Sequence, residues 1–423
     1  MRKIGFILIM LMGISYAQST FPADYKWKTK IGLTCYRTNM LFHDGKIIIG
    51  SNGDDRNSDN DDAAGVYFID PTNGKINHQI KGLSLGDNDV NGLAIANNTL
   101  YYGSDLNYVY AYDLNLKEEK WKYQLPNNLE SVPGIANLNG DSIMDIVFNC
   151  QGSGVYAFDG AKGDTLWHSK VYTHGGNSSP AIYDLNNDGI DDLVCGGYAQ
   201  WALNGKDGSE LWFQKKNSGV HGSPLILEFN DSVRIHTVAS YGDYDIFDLK
   251  GNRLGGVGAG YGLFASPVPS GKSLYSCVSN SWGSSSGVSS FSIDFNDWVY
   301  EEGKKRMGPG ETIQYKGFGK SKACASAVSL DLDGDGNVEF LIPDEKGTLF
   351  IIHPEKEEAE EISMPAGSEA TLFVGDFDGD GIISALYSGL DGFLYCYDLP
   401  KAKNIVWNSF RGPNNNGTIK MGF

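Results

Sequence analysis

A unit of about 45 residues recurs along this chain, and the recurrence limits the fold more than any other feature. An alternating apolar strand ends in Asp or a substitute at positions 70, 113, 159, 204, 248, 294, 353 and 398, with separations of 43, 46, 45, 44, 46, 59 and 45 residues. The clearest copies are VYFID (66–70), VYAYD (109–113) and VYAFD (155–159). WALN (201–204), DIFD (245–248), SFSID (290–294), FIIH (350–353) and LYCYD (394–398) are weaker. Trp stands eight residues past the terminal position at Trp121, Trp167 and Trp212, and nine past it at Trp407. Each unit opens on another strand, often after Ser and Pro (SVPGIANL, SSPAIYDL, GSPLILEF), and a second apolar strand such as DIVFNC or DLVCGG follows. Four short strands in 40–50 residues are the pattern of a β-propeller. A four-stranded unit cannot bury both faces alone, and closing the stack into a ring removes its exposed ends. The expected fold is therefore all-β: a single propeller over residues 18–423 with eight four-stranded blades, or seven if DIFD or SFSID is not a true copy. The 54 glycines and the lack of long helical periodicity agree.

Inside the repeat lie four acidic loops, NLNGDSIMD, DLNNDGIDD, DLDGDGNVE and DFDGDGIIS. Oxygen-bearing residues fall at alternate positions, and one more follows four residues after the third. The sets are Asn137, Asn139, Asp141 and Asp145; Asp184, Asn186, Asp188 and Asp192; Asp331, Asp333, Asp335 and Glu339; and Asp376, Asp378 and Asp380, with Ser384 where a carboxylate is expected. Ca²⁺ takes six to eight oxygens, and a tight loop can aim alternate side chains at one point. The expected cofactor is Ca²⁺ in a structural role. Two amides in the Asn137 loop lower its affinity, and Ser384 weakens the Asp376 loop.

Residues 1–17 read as a secretory signal. Arg2 and Lys3 precede an apolar run, Ile4 to Ile14, and Ser15-Tyr16-Ala17 fits a cleavage site. The expected product is exported, to the periplasm or beyond the cell, without a transmembrane segment. Removing Arg2 and Lys3 leaves 32 basic residues against 52 acidic ones, a net charge of −20. Such a balance argues against nucleic acid as a partner. The six Cys form no CxxC and no vicinal pair, so Cys150, Cys195 and Cys277 read as buried filler.

VYAFDGAKGDTLW (155–167) resembles the PQQ-like β-propeller repeat, and the acidic loops resemble those of FG-GAP and related calcium-loop propellers. The resemblance spans almost the whole chain beyond the signal. It implies a fold more than an activity, because such propellers serve as scaffolds, receptors, lectin-like binders and enzymes. Enzymes of this type that carry the quinone commonly place a vicinal disulfide against its ring, which this chain lacks.

The loop between strands one and two of each blade belongs to one face, and all four acidic loops fall there. HDGK (43–46), Asn97-Asn98 and SGK (270–272) are the simple turns of blades one, two and six. Two insertions belong to the other face. One is acidic, residues 51–65, between strands two and three of blade one. The other, residues 301–322, leads into blade seven and carries Lys304, Lys305, Arg306, Lys316, Lys320 and Lys322 beside Tyr315 and Phe318. This second insertion suits an anionic sugar, as does Asn177. Aligning the opening strands puts Glu130, Asn177 and His221 three residues before the (Ser)-Pro positions of successive blades, with Tyr172 and His174 adjacent. These should line the mouth of the channel.

Two functions follow. The first is a non-catalytic, calcium-stabilised, monomeric module that binds a glycan or another exported protein. The second is a polysaccharide lyase or hydrolase using His174, His221, Tyr172 and Glu130 as acid–base groups.

Overall fold

The computed structural model describes residues 20–421 outside 55–62, 82–88, 174–177, 217–218, 230–231, 240–242, 259–264, 270–273, 280–287, 294–310, 315–324 and 357. Residues 1–17, expected to be a secretory signal, lie outside the described residues. Among the described residues eight sheets follow one another along the chain, with antiparallel pairing between the successive strands of each. Blade one is Met40–His43, Lys46–Asn52, Ala64–Ile69 and Ile76–Lys81; blade two is Leu93–Ala96, Thr99–Gly103, Tyr108–Asp113 and Glu118–Gln124. Blade three is Gly134–Ala136, Asp145–Cys150, Gly154–Phe158 and Thr165–Ser169; blade four is Ala181–Tyr183, Asp192–Gly196, Ala199–Leu203 and Glu210–Lys215. Blade five holds Leu225–Phe229, Ser232–Val238, Asp243–Phe247 and Arg253–Gly258, and blade seven holds Val328–Asp331, Glu339–Pro343, Thr348–His353 and Glu358–Ser363. Phe373–Gly375, Ile383–Ser388 and Phe393–Leu399 belong to blade eight.

Seven of these sheets are full blades. The sixth has three strands, Leu274–Ser279, Val288–Ile293 and Glu311–Gln314. Among the described residues the ring thus shows seven full four-stranded blades, the smaller of the two numbers expected. At the inner-strand position of the sixth sheet stands Ala265–Pro269, buried but not in a ladder. Pro267 and Pro269 lack the N–H that a ladder needs. The basic insertion also differs from its expected form, since its residues 311–314 are a strand that pairs with the SFSID copy. Its Lys304, Lys305, Arg306, Tyr315 and Lys316 lie outside the described residues.

The core lies between blades. One apolar cluster joins blades one and two through Ile48, Phe68, Leu93 and Tyr102. Another joins three and four through Val147, Trp167, Leu193 and Leu203. A third joins eight and one through Trp27, Ile47, Leu386 and Leu394. The repeat Trp has one task in each interface. Trp121, Trp167 and Trp212 lie against Gly163, Gly208 and Gly251 of the following blade, where a Cβ would come within 2.5 Å of the indole. Each of those glycines has positive φ, so the position excludes a side chain twice over. The indole N–H of Trp167 donates to the Gly205 carbonyl (2.6 Å) and that of Trp212 to the Leu249 carbonyl (2.9 Å).

Trp407 breaks the pattern. In blade eight the outer strand is Trp27–Lys30, from the other end of the chain, paired with Phe393–Leu399. Trp27 then packs on Gly74 of blade one and donates to the Pro71 carbonyl at 2.7 Å. The segment holding Trp407 turns into the channel instead. Lys403–Trp407 pairs with the inner strand of blade seven, and Thr418–Met421 runs parallel to the inner strand of blade five.

The Ser of the Ser-Pro signature makes a second ring of contacts. The backbone N–H of Val132 donates to Ser179 Oγ, Ser179 to Ser223, Ser223 to Ser266, Ser266 to Ser326, and Ser326 to Thr371, all at 2.8–3.0 Å. Each blade's hydroxyl thus satisfies a buried amide of its predecessor from blade three to blade eight.

Candidate functional site

Three regions bear on function: the entry face, the channel and the acidic-loop face. On the entry face Glu130 does not stand ready as an acid or base. It forms an ion pair with Arg37, which approaches from the segment leading into blade one. Burial opposes the Arg37 charge, but Cys35, Tyr36, Glu130 and Asp105 around it hold its pKa above the ordinary value. His221 is half-buried beside Gly219. His174 and Asn177 lie outside the described residues. Tyr172 is 53% exposed and stacks on Tyr198, itself 49% exposed, with ring centroids 5.0 Å apart and planes 26° from parallel. Tyr198 follows the second strand of blade four and carried no signal in the repeat, because loop tips are where the repeat is least regular. Arg37 was likewise missed, being outside every repeat unit.

The channel is filled by the chain itself. Beyond its two strands, the C-terminal segment reaches blade eight (Val374 N–H to the Asn408 carbonyl, 2.9 Å) and blades one and two (Asn415 accepts from Asn39 Nδ2 at 2.8 Å and donates to the Leu93 carbonyl at 2.9 Å). Asn416 exchanges two hydrogen bonds with the backbone of Ile135 in blade three, and Thr418 donates to the Ile182 carbonyl of blade four. Residues 403–421 thereby touch the inner strands of all seven full blades. Arg411 is 1% exposed and donates to the carbonyls of Pro180 (2.8 Å) and Pro224 (3.2 Å). Burial lowers its pKa to about 9. On the acidic-loop side an open funnel of about 770 Å³ remains, walled by Leu41, Phe42, Ile95, Ile135 and Val406.

The four acidic loops occupy the strand one–two connections, as expected. Their side-chain oxygens accept backbone N–H groups of the same loop. Asp184 takes Asp188 and Gly189; Asp331 takes Gly334 and Gly336; Asp376 takes Gly379 and Gly381. In the first loop Asn137, Asn139 and Asp141 accept Gly140, Asp141 and Ile143. The last acid of each of the first three loops is buried and does further work. Asp145 accepts Leu138 and Gly160, and Asp192 accepts Leu185 and Gly205, tying the loop to the next turn of its blade. Burial raises the Asp145 pKa and pushes that of Asp192 up to about 6. Glu339 accepts Leu332 in the same way.

Two carboxylate triads can hold a metal ion: Asp331, Asp333 and Asp335, and Asp376, Asp378 and Asp380, each with one oxygen per residue within 4.8 Å of the others. A hard divalent cation fits such all-oxygen sets. The second triad already faces a cation. Lys26 Nζ lies 2.9 Å from Asp378, 3.1 Å from Asp398 and 3.6 Å from Asp380. Ser384, at the position of the missing acid, donates to Asp398 at 2.9 Å.

Residues 63–231 match the family model described as PQQ_2, outer membrane protein assembly factor BamB. Among solved structures, BamB from Moraxella catarrhalis is 14% identical with a TM-score of 0.58, covering 89% of this chain and 99% of that one. Sqt1 from Saccharomyces cerevisiae is 10% identical with a TM-score of 0.61, covering 89% and 99%. The quinohemoprotein alcohol dehydrogenase ADHIIG from Pseudomonas putida HK5 is 11% identical with a TM-score of 0.56, covering 90% and 77%. At these identities the likeness is one of fold. No curated protein sequence matches. Among the described residues no helix is long and apolar enough to cross a membrane.

Proposed function

We propose that this chain, a PQQ-like β-propeller repeat protein of the BamB type, is an exported, non-catalytic module that binds another exported protein or a glycan through its entry face. The observation that carries this reading is the exposed, pre-stacked Tyr172–Tyr198 pair. Tyrosine offers large, rigid contact area at low entropic cost and is enriched in the anchors of binding surfaces. The acid–base alternative is weakened at one member, because Glu130 is already neutralised by Arg37. Similarity to an outer membrane assembly factor supports a periplasmic location. Ca²⁺ would serve as a brace for the acidic loops, held chiefly by Asp331, Asp333, Asp335 and Glu339.

The test is recovery of exported proteins and glycans by the mature protein and by a Tyr172→Ala/Tyr198→Ala variant of equal thermal stability. A drop of at least tenfold in the captured partner is expected. Equal capture by both proteins would refute the entry-face reading. New ultraviolet-absorbing ends on a polysaccharide, lost in His174→Ala or His221→Ala, would establish the lyase instead.

A further inference from the structure

Blades one and two carry no acidic loop, and the cleft between them on that face holds a pocket of about 180 Å³. Its buried lining residues, which form its floor, are Ile48, Phe68 and Tyr112, with the half-buried Leu114 beside them. His78 crosses this floor, its ring centroid 5.3 Å from that of Phe68 and its Nε2 3.0 Å from the Tyr112 hydroxyl. The walls present three side-chain amides, Asn77, Asn98 and Asn115. Lys46 and Lys117, with Asp44 and His43, complete its lining. Neither lysine forms an ion pair among the described residues, in a protein of formal charge −18. Lys46 Nζ donates to the Gly45 carbonyl at 3.2 Å and helps to hold the Asp70 pKa below its ordinary value.

We infer that this pocket binds a single anionic sugar residue, a hexuronate unit at the end or along the length of a glycan. The volume falls below the roughly 300–1,000 Å³ of pockets for larger organic ligands, so one small ring is the natural occupant. An apolar floor with aromatic rings suits the C–H face of a pyranose. Planar amides suit adjacent hydroxyls, since each offers a donor and an acceptor side by side. Two lysines against the single lining acid Asp44 leave a positive excess that suits a carboxylate. The positive field is felt by neighbours: burial first, and then Lys117, hold the His78 pKa below its ordinary value. The inference rests on the glycan branch of the proposed function and gives it a second location, remote from Tyr172 and Tyr198.

Calorimetric titration of the mature protein with a glucuronate oligosaccharide tests it, with a glucose oligosaccharide of equal length and sodium sulfate as comparison probes. Lys117 and Asn98 have φ of 57° and 60°, so Lys117→Gly and Asn98→Gly remove side chains without opposing the backbone. The expected result is uronate binding that weakens at least tenfold in Lys46→Ala/Lys117→Gly and in Asn98→Gly, with the neutral oligosaccharide at least tenfold weaker on the wild type. Uronate binding unchanged in these variants would overturn the pocket while leaving a glycan-binding role elsewhere. Sulfate binding as tightly as uronate would reduce it to an anion site and overturn the sugar assignment. Absence of uronate binding by the wild type would overturn it as well, whereas partner capture through Tyr172 and Tyr198 would still uphold the entry-face reading.

Discussion

Lys26 and Asp378 stand 352 positions apart in the chain and 2.9 Å apart in space. Lys26 immediately precedes the strand that closes the ring, and Asp378 belongs to the acidic loop of the blade so closed. The ammonium sits among Asp378, Asp380 and Asp398, where the other acidic loops have only backbone N–H groups or a more distant lysine. Ring closure and loop order are thus coupled by one side chain.

Lys26→Met should destabilise the protein by about 1–2 kcal/mol, between the values for exposed and buried ion pairs. The Asp378 hydrogen bond from Lys26 holds that carboxyl below its ordinary pKa. Its contribution is therefore complete above the unfolded value near 4 and fades as pH falls through the lower folded value. Denaturant titrations at pH 7 and pH 3 should show a large difference between wild type and variant at the first pH and a smaller one at the second.

The two triads should respond differently to calcium. A ligand at a hundredfold excess over its Kd stabilises the native state by about 2.7 kcal/mol. Asp331→Ala should remove most of the calcium-dependent rise in melting temperature. Asp378→Ala should leave that rise largely intact, because Lys26 already supplies the positive charge there. Scanning calorimetry with calcium and with chelator distinguishes the cases.

His236 makes the fold acid-sensitive. It is fully buried, its Nδ1 2.7 Å from the Tyr244 hydroxyl, and burial, with Arg234 as a lesser cause, lowers its pKa to about 3. Unfolded, it titrates near 6.5. Between those values the unfolded chain binds one proton more, so stability is full above about pH 6.5 and falls by about 1.4 kcal/mol per unit below it. Moving from pH 7 to pH 5 should cost wild type about 2 kcal/mol more than it costs His236→Gln. Equal losses in urea titrations would count against this assignment.

Ser223→Ala should cost about 1–3 kcal/mol, because the buried Ser179 N–H then has no acceptor. Arg411→Met removes two hydrogen bonds to inner-strand carbonyls but also a buried charge without a carboxylate partner among the described residues. Its cost should be of similar size, about 1–3 kcal/mol. Deleting residues 403–423 removes the contacts to seven blades together and should abolish cooperative thermal unfolding, as followed by near-ultraviolet circular dichroism.

The order of strands, the position of the acidic loops between strands one and two, and the docking Trp of blades two, three and four were all legible in the sequence. Each depends on neighbours within one 45-residue unit or the next, and strand alternation, turn residues and loop spacing record such local relations directly. Which strand completes blade eight was not legible. Trp407 has the spacing of a docking Trp, yet Trp27 takes that place, because closing a ring is a contact between the two ends and leaves no period in the chain. For the same reason Arg37 could not be seen to neutralise Glu130, nor Lys26 to enter the Asp376 loop, nor the asparagines at 415 and 416 to fill the channel. Residue types and their spacing determined the modules; only the folded ring decided which charges would meet and what would occupy its axis.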